Sequence, residues 1–510
     1  MNDAARRYLA LALVVVGALL AAAAPAAQAQ DSPYEQIRER EFGTADDALR
    51  AIEKRVQGAS LDEYPAIEKE LIAVLEDPEA TAAGKQFACR MLRIVGSEKC
   101  ISAVGELLTN ERLSHSARWV LKDMHSPEAG RALRQALSET SGKTRIGIIV
   151  TVGTRRDAKA LGQLIELAGA DDRATARAAL KAIGQVGTPE AADALEQMEV
   201  EDDLKLAWCD ASLDCAEKLA AAGHEDRATR IYRNLLEGDY IALVRASALG
   251  GLAVVQQAEA VSLVVEKLDA EDSKLRQAAA QAVLDITGPK ANRRFAEALQ
   301  DLEPELQVVL LDLLSERKQA EGLTSLVNEL ARSDNMQVRT AAVQALSSLG
   351  DAGSVPVVAE ALTDDETFRA ARRTLLHIRG EGVKDALVKQ AQEGAPEVQV
   401  TVIKVLAERG VSGAAEALWS VAQHDNDRVR RTAVSAIGDL GGPQDAARLV
   451  EMLLDPMKDG DRGALQAAIM NIGGRVEEPS SVTEPIIDAL DEAETAARAA
   501  MLTILGRLNG

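Results

Sequence analysis

Between residues 335 and 441 the chain repeats itself. Arg339, Arg369 and Arg430 are each followed eleven residues later by a glycine, at Gly350, Gly380 and Gly441, and with Gly410 these glycines step by 30, 30 and 31 residues. A fixed period of this length is the mark of one supersecondary unit stacked many times, each copy burying its apolar face against its neighbours. Such stacks are binding surfaces more often than active sites. Within one period Val338, Ala342, Leu346 and Leu349 form a single apolar stripe of a helix that ends at Gly350, and Val429, Ala433, Ile437 and Leu440 repeat it before Gly441. A second helix follows each, opened by Pro356 or Pro443, since the first turn tolerates a residue without an N–H. The unit is a helical hairpin.

Looser copies extend both ways, with turn glycines expected at Gly96, Gly153, Gly187, Gly223, Gly251, Gly288, Gly410, Gly473 and Gly506. The expected fold is all-α, an α-α superhelix of about fourteen hairpins. A composition with 47% hydrophobic but only 2% aromatic residues suits close helix packing by small side chains, and 510 residues exceed what one core normally supports. Residues 30–82 read as an N-terminal helical cap and 83–510 as the solenoid. Within it the stretch near 215–236, with Ala216, Leu219, Ala228 and Tyr232, looks like a tetratricopeptide-type hairpin. The last helix lacks a following partner, which makes self-association through the C-terminal end near Gly510 an expectation.

Arg6 and Arg7 precede an apolar run from Tyr8 to Ala24, and Ala27-Gln28-Ala29 follows. This fits a signal peptide over residues 1–29, too short for a comfortable membrane span, with cleavage leaving Gln30 first. The expectation is export to the periplasm or cell envelope, or beyond it, with no stable membrane insertion afterwards. Cys89, Cys100, Cys209 and Cys215 then meet an oxidising compartment. Cys209 and Cys215 point apart on one helix, Cys89 and Cys100 lie close enough in sequence to approach each other, and buried free thiols are the preferred reading. A net charge of -22 and a pI near 4.9, with no basic tract, argue against nucleic acid.

Asp334-Asn-Met-Gln-Val-Arg339 and Asp425-Asn-Asp-Arg-Val-Arg430 resemble HEAT repeats of the phycobilisome-lyase-like type, and the likeness covers most of the chain. Phe87-Ala-Cys-Arg90, His115-Ser-Ala-Arg118 and Val152-Gly-Thr-Arg-Arg-Asp157 further look like a family of exported bacterial HEAT-repeat proteins. The resemblance implies a protein-interaction scaffold. It also implies that each arginine bonds the acidic residue of a neighbouring turn, forming a ladder. Gln399 replaces the arginine in one unit, and Arg372 falls on an expected apolar stripe.

Chemistry is sparse. Histidines at 115, 125, 224, 377 and 424 offer no paired imidazoles on one helix, and His224-Glu225 is the sole pair of the kind that iron-dependent HEAT hydroxylases use. There is no haem-attachment motif, phosphate loop or nucleophile elbow, and carboxylate pairs such as Glu68 with Glu70 read as solvated helix faces. No catalytic, metal or cofactor residues are therefore expected. Two candidate partner contacts stand out. Trp419 follows Leu418 in a second-layer helix, the layer expected to line the concave face, with His424 in the next turn; exposed, it is a natural hot spot, and otherwise it is wedged between repeats. Arg155 and Arg156 lie in an inter-helix turn and bind an anion or, the preferred reading, cap a helix C-terminus. The expected function is a non-catalytic protein-binding scaffold using the concave face. The alternative is an enzyme of the HEAT-associated oxidoreductase or lyase kind with a dispersed site.

Overall fold

Each segment with a 3.6-residue apolar period forms a helix in the computed structural model, which describes residues 32–508 apart from 44–46, 318, 320, 412 and 456–457. The segment read as a signal peptide and the extreme C-terminus around Gly510 lie outside the described residues. Among the described residues a short helix, Pro33–Gln36, precedes fourteen hairpins and a final single helix, with no strand. The contacts divide the chain into two compact units, one ending at Ile231 and one beginning at Tyr232, within the helix Glu225–Glu237.

In the first unit the first-layer helices are α1 (Asp47–Gly58), α2 (Ala82–Val95), α3 (Ser114–Lys122), α4 (Gly142–Thr154), α5 (Arg173–Val186) and α6 (Asp202–Ala221). In the second they are α7 (Ala242–Gln256), α8 (Ser273–Asp285), α9 (Pro304–Glu316), α10 (Met336–Leu349), α11 (Phe368–His377), α12 (Pro396–Glu408), α13 (Asp427–Leu440), α14 (Arg462–Gly473) and α15 (Thr495–Leu508). Within each unit every first-layer helix packs on the next, and most second-layer helices pack against the first-layer helix that follows them. The core is the line where the layers meet, filled by Leu, Val, Ile and Ala such as Leu180, Ile183, Val343 and Leu346.

Helix starts follow local chemistry. Thr81, Ser126, Asp172, Thr188, Asp272, Asn335 and Asn426 are N-caps whose side chains accept hydrogen bonds from first-turn N–H groups. Helix ends use side chains from elsewhere in the stack, because the last carbonyls of a helix have no partner of their own. From the following first-layer helix a donor reaches back to the preceding second-layer segment: Arg276 Nη1 to the Ala270 carbonyl at 2.6 Å, Gln307 Nε2 to Leu299 at 2.8 Å, and Arg339 Nη1 to Ser333 at 2.8 Å. Gln399 does the same toward Gln392 at 2.9 Å, so the glutamine that breaks the sequence motif keeps its role. A second set caps first-layer helices from the next one along. Arg409 donates to the Ile378 carbonyl at 3.0 Å, Arg475 to Gly441 at 2.9 Å, and Arg317 to Ile286.

The arginine ladder exists at two of its three places. Arg339 meets Asp364 at 3.0 Å and Arg430 meets Asp461 at 2.7 Å, each across to the next hairpin. Arg369 is exposed, with no ion pair among the described residues, because buried Thr367 occupies the slot and donates its hydroxyl to the Ala361 carbonyl at 2.7 Å. The reading of turn glycines also needs correction. Gly187, Gly223, Gly288 and Gly410 do turn the chain with positive φ, but Gly153, Gly251 and Gly506 lie inside helices. A Cβ on Gly153 would stand 2.8 Å from the Ala182 Cα, and one on Gly251 would stand 2.4 Å from the Tyr232 ring, so close packing is what requires glycine there. Glu68 is not solvated either: it is buried and accepts from the Ser97 N–H at 2.6 Å. The stretch Ala242–Asp269 has the length and hydropathy of a membrane span, but it breaks at Gln257 (φ 48°) and half of it is buried as core.

Candidate functional site

Trp419 is 6% exposed, so of the two readings left open the ring is the one wedged between repeats and not an exposed hot spot. Its indole N–H donates to Asp445 Oδ1 at 2.8 Å, and the Arg448 guanidinium covers its face at 4.0 Å from the ring centroid. Asp445 Oδ2 also accepts from the Gly442 N–H at 3.0 Å, so the tryptophan ties its segment to the start of the next second-layer helix, Pro443–Leu454. An indole placed one hairpin before an N-terminal carboxylate gains more from that bond and from burial than from facing water. His424 shapes the turn: its Nδ1 accepts from the Asn426 N–H at 2.9 Å, and its carbonyl accepts from Arg430 at 2.6 Å.

Arg155 donates to the carbonyls of Lys122 at 3.1 Å and Ser126 at 3.3 Å, and also to Leu121 and Met124. It caps α3, the neighbouring first-layer helix, rather than the helix it follows, and so joins Arg317, Arg409 and Arg475 as one of a repeated set. Burial holds its guanidinium below the ordinary arginine value, and the charge of Arg134 adds to this against Asp157 and Asp123. Arg156 is exposed with a φ of 51°, the left-handed residue that ends α4. Arg155 and Arg156 therefore point to different tasks and do not form a joint anion site.

The thiols are buried and unpaired. Burial pushes Cys89, Cys100 and Cys215 up to about 12 and Cys209 to about 11, with Cys100 adding to the shift of Cys89 and Glu68 to that of Cys100. Among the described residues no three His, Cys, Asp or Glu side chains come together as metal ligands.

Two surfaces that the sequence did not single out are more open. In the first unit, α2 and α3 form a cleft of about 420 Å³ that Arg40 and Phe42, from the segment before α1, also line. Gln86, Arg90 and Arg93 share one face of α2, and His115, Trp119 and Lys122 share one face of α3, by three- and four-residue spacing. Trp119 is 46% exposed and Phe42 68%. In the second unit, a groove of about 660 Å³ crosses α8, α9, α10 and α11, with Ala280, Val309, Ala341 and Ala370 along it and Arg373 and His377 on α11. The spacing that marks both faces is present in the sequence, but which side of each helix meets water depends on where its neighbours sit.

Residues 130–207, 292–376 and 385–470 match the family of HEAT repeats. The chain is thus an α-α solenoid containing HEAT repeats. No curated protein sequence matches it. Among solved structures it is similar to Kap95p in a structure of its binding to RanGDP, at 14% identity and a TM-score of 0.35, over 93% of this chain and 72% of that one. It is similar to Kap121p bound to Ste12p at 14% identity and 0.37, over 94% and 56%. It is also similar to human deoxyhypusine hydroxylase at 16% identity and 0.21, over 51% and 99%. The chain therefore spans little more than half the length of Kap121p.

Proposed function

We propose that the protein is a non-catalytic protein-binding scaffold of the exported, phycobilisome-lyase-like HEAT kind, working in the periplasm or cell envelope after loss of its first 29 residues. The groove across α8 to α11 carries this reading. Four successive repeats present small side chains at one level, leaving a trough long enough for a segment of another protein, with polar groups at its sides. The concave face expected for the second layer is the companion surface of the same reading, although Trp419 is packed away from it. The charge of -22 supports a freely solvated surface.

The test is cross-linking in the native host, affinity capture and identification of the captured protein, followed by binding of that purified protein to the full chain. Val309→Asp and Ala341→Arg are expected to weaken binding by about tenfold or more, as loss of a buried interface anchor does. Capture of nothing but the chain itself, or binding untouched by both substitutions, overturns the groove as the docking surface. Export is tested separately by N-terminal sequencing of the mature protein, with Gln30 expected first.

A further inference from the structure

We infer that the cleft between α2 and α3 binds a carboxylate carried on an apolar or aromatic group. This stands apart from the scaffold reading, since it concerns a different unit and different residues. Its charge is anomalous for the chain. Asp and Glu outnumber Lys and Arg by 80 to 58, yet the charged residues lining this cleft are Arg40, Arg90 and Arg93, with His115 beside them and no carboxylate among the lining residues. Arg90 is already engaged, at 2.7 Å from Glu53 and stacked 5.0 Å from the Phe87 ring centroid. Arg93 is not: it is exposed, lies 4.3 Å from the Trp119 ring centroid, and makes no ion pair or hydrogen bond among the described residues.

Stacking occupies the flat face of a guanidinium and leaves its N–H edge for an acceptor in the same plane, the geometry that suits a carboxylate fork. Trp119 and Phe42 line the same cleft, both substantially exposed, which is costly in water and useful against an apolar body. His115 lies 5.6 Å from the Trp119 ring on the same helix face. A volume of about 420 Å³ is that of a small-ligand site. Cations alone would serve any anion, and aromatics alone any apolar group; together they select a ligand with both. A free small acid and the C-terminal residue of a peptide share this chemistry.

The full chain is titrated with sodium phenylacetate, phenylacetamide and inorganic phosphate, and with a short peptide ending in phenylalanine as the free acid or the amide, following indole fluorescence. Saturable quenching by phenylacetate is expected, with the amide and phosphate each at least about tenfold weaker, the scale of one charge-assisted hydrogen bond or one lost apolar contact. Arg93→Met is expected to weaken phenylacetate by about tenfold or more with an unchanged circular dichroism spectrum and melting temperature. Phe42→Ser, at a side chain 68% exposed, is a second probe of the apolar half and is expected to weaken phenylacetate as well. A free-acid peptide that binds more tightly than phenylacetate identifies a chain terminus as the natural source, and the reverse order identifies a small acid. No saturable change with either acid, equal binding of acid and amide, or binding indifferent to Arg93→Met overturns the inference.

Discussion

Among the described residues Arg430 is the largest fully buried side chain, at 1% exposure, and its charge is matched at every nitrogen: Nε to Asp461 at 2.7 Å, Nη2 to Asp427 at 3.0 Å, and Nη1 to the His424 carbonyl at 2.6 Å. Burial pushes the Asp461 carboxyl up, but the hydrogen bonds and charges of Arg430 and Arg431 outweigh it and hold the group below its ordinary value. A depressed carboxylate contributes stability that is present above the unfolded pKa and lost as pH falls through the folded one. Melting of this region is therefore expected to weaken below about pH 4, and Asp461→Asn should flatten that dependence. The same substitution leaves a buried cation with a poorer partner, at a cost of about 3 kcal/mol near neutral pH, to be read from denaturant melts of both proteins at two pH values. The thiols shift the other way. With folded values raised to about 11 and 12, their contribution is full below the unfolded pKa and is lost as pH rises toward the folded values, so alkaline weakening is expected. A thiol reagent near about pH 8 should label none of the four at an appreciable rate until the protein is unfolded. Trp419→Ala is expected to cost about 3 kcal/mol in a thermal or denaturant melt, and a smaller loss would mean the ring is not held by Asp445 and Arg448 as described.

At the scale of elements, what decides stacking is how closely neighbouring first-layer helices approach. A Cβ on Gly438 in α13 would lie 2.6 Å from the Ala468 Cα of α14, and one on Gly184 in α5 would lie 2.4 Å from the Ala211 carbonyl oxygen of α6. Gly250, in the interior of α7, has nothing within 4 Å of the same position. Gly438→Ala is thus expected to destabilise by about 1 to 3 kcal/mol through overpacking, while Gly250→Ala stabilises by about 0.5 to 1 kcal/mol through helix propensity. Opposite signs in two chemical melts are the check, and equal signs would show that backbone entropy rather than packing governs these glycines. This contrast marks the limit of what the sequence disclosed. The apolar stripe of α13 and the Val-Arg turn were legible because both are local patterns, whereas an acidic partner for Arg430 was implied only by the resemblance and Asp461 itself was not singled out. Gly438, the capping partners of Arg155 and the open face of Trp119 were not, because each depends on a residue about thirty positions away in the adjacent hairpin. Trp419 and Trp119 each carry an arginine over the ring, and it is the bond of the indole N–H to Asp445, with the deeper burial, that sets Trp419 apart.

For the whole molecule, the consequence of contacts that run mainly between neighbouring hairpins is that stability is closer to a sum of local terms than to the property of one core. Damage at one hairpin should lower protection there and in its immediate neighbours and fade beyond them. Gly438→Ala is accordingly expected to speed hydrogen exchange in α12, α13 and α14, where its new methyl forces apart a stacked pair, and to leave α2 to α5 unchanged. Gly184→Ala, which presses on α6 from α5, should give the converse pattern confined to the first unit. Exchange read by mass spectrometry on the two variants under identical conditions distinguishes this from a single cooperative fold, in which either substitution would raise exchange in both units together. The distinction bears on the two open surfaces. If the terms are local, the α2–α3 cleft and the α8–α11 groove keep their geometry independently, and a substitution that empties one leaves the other able to bind.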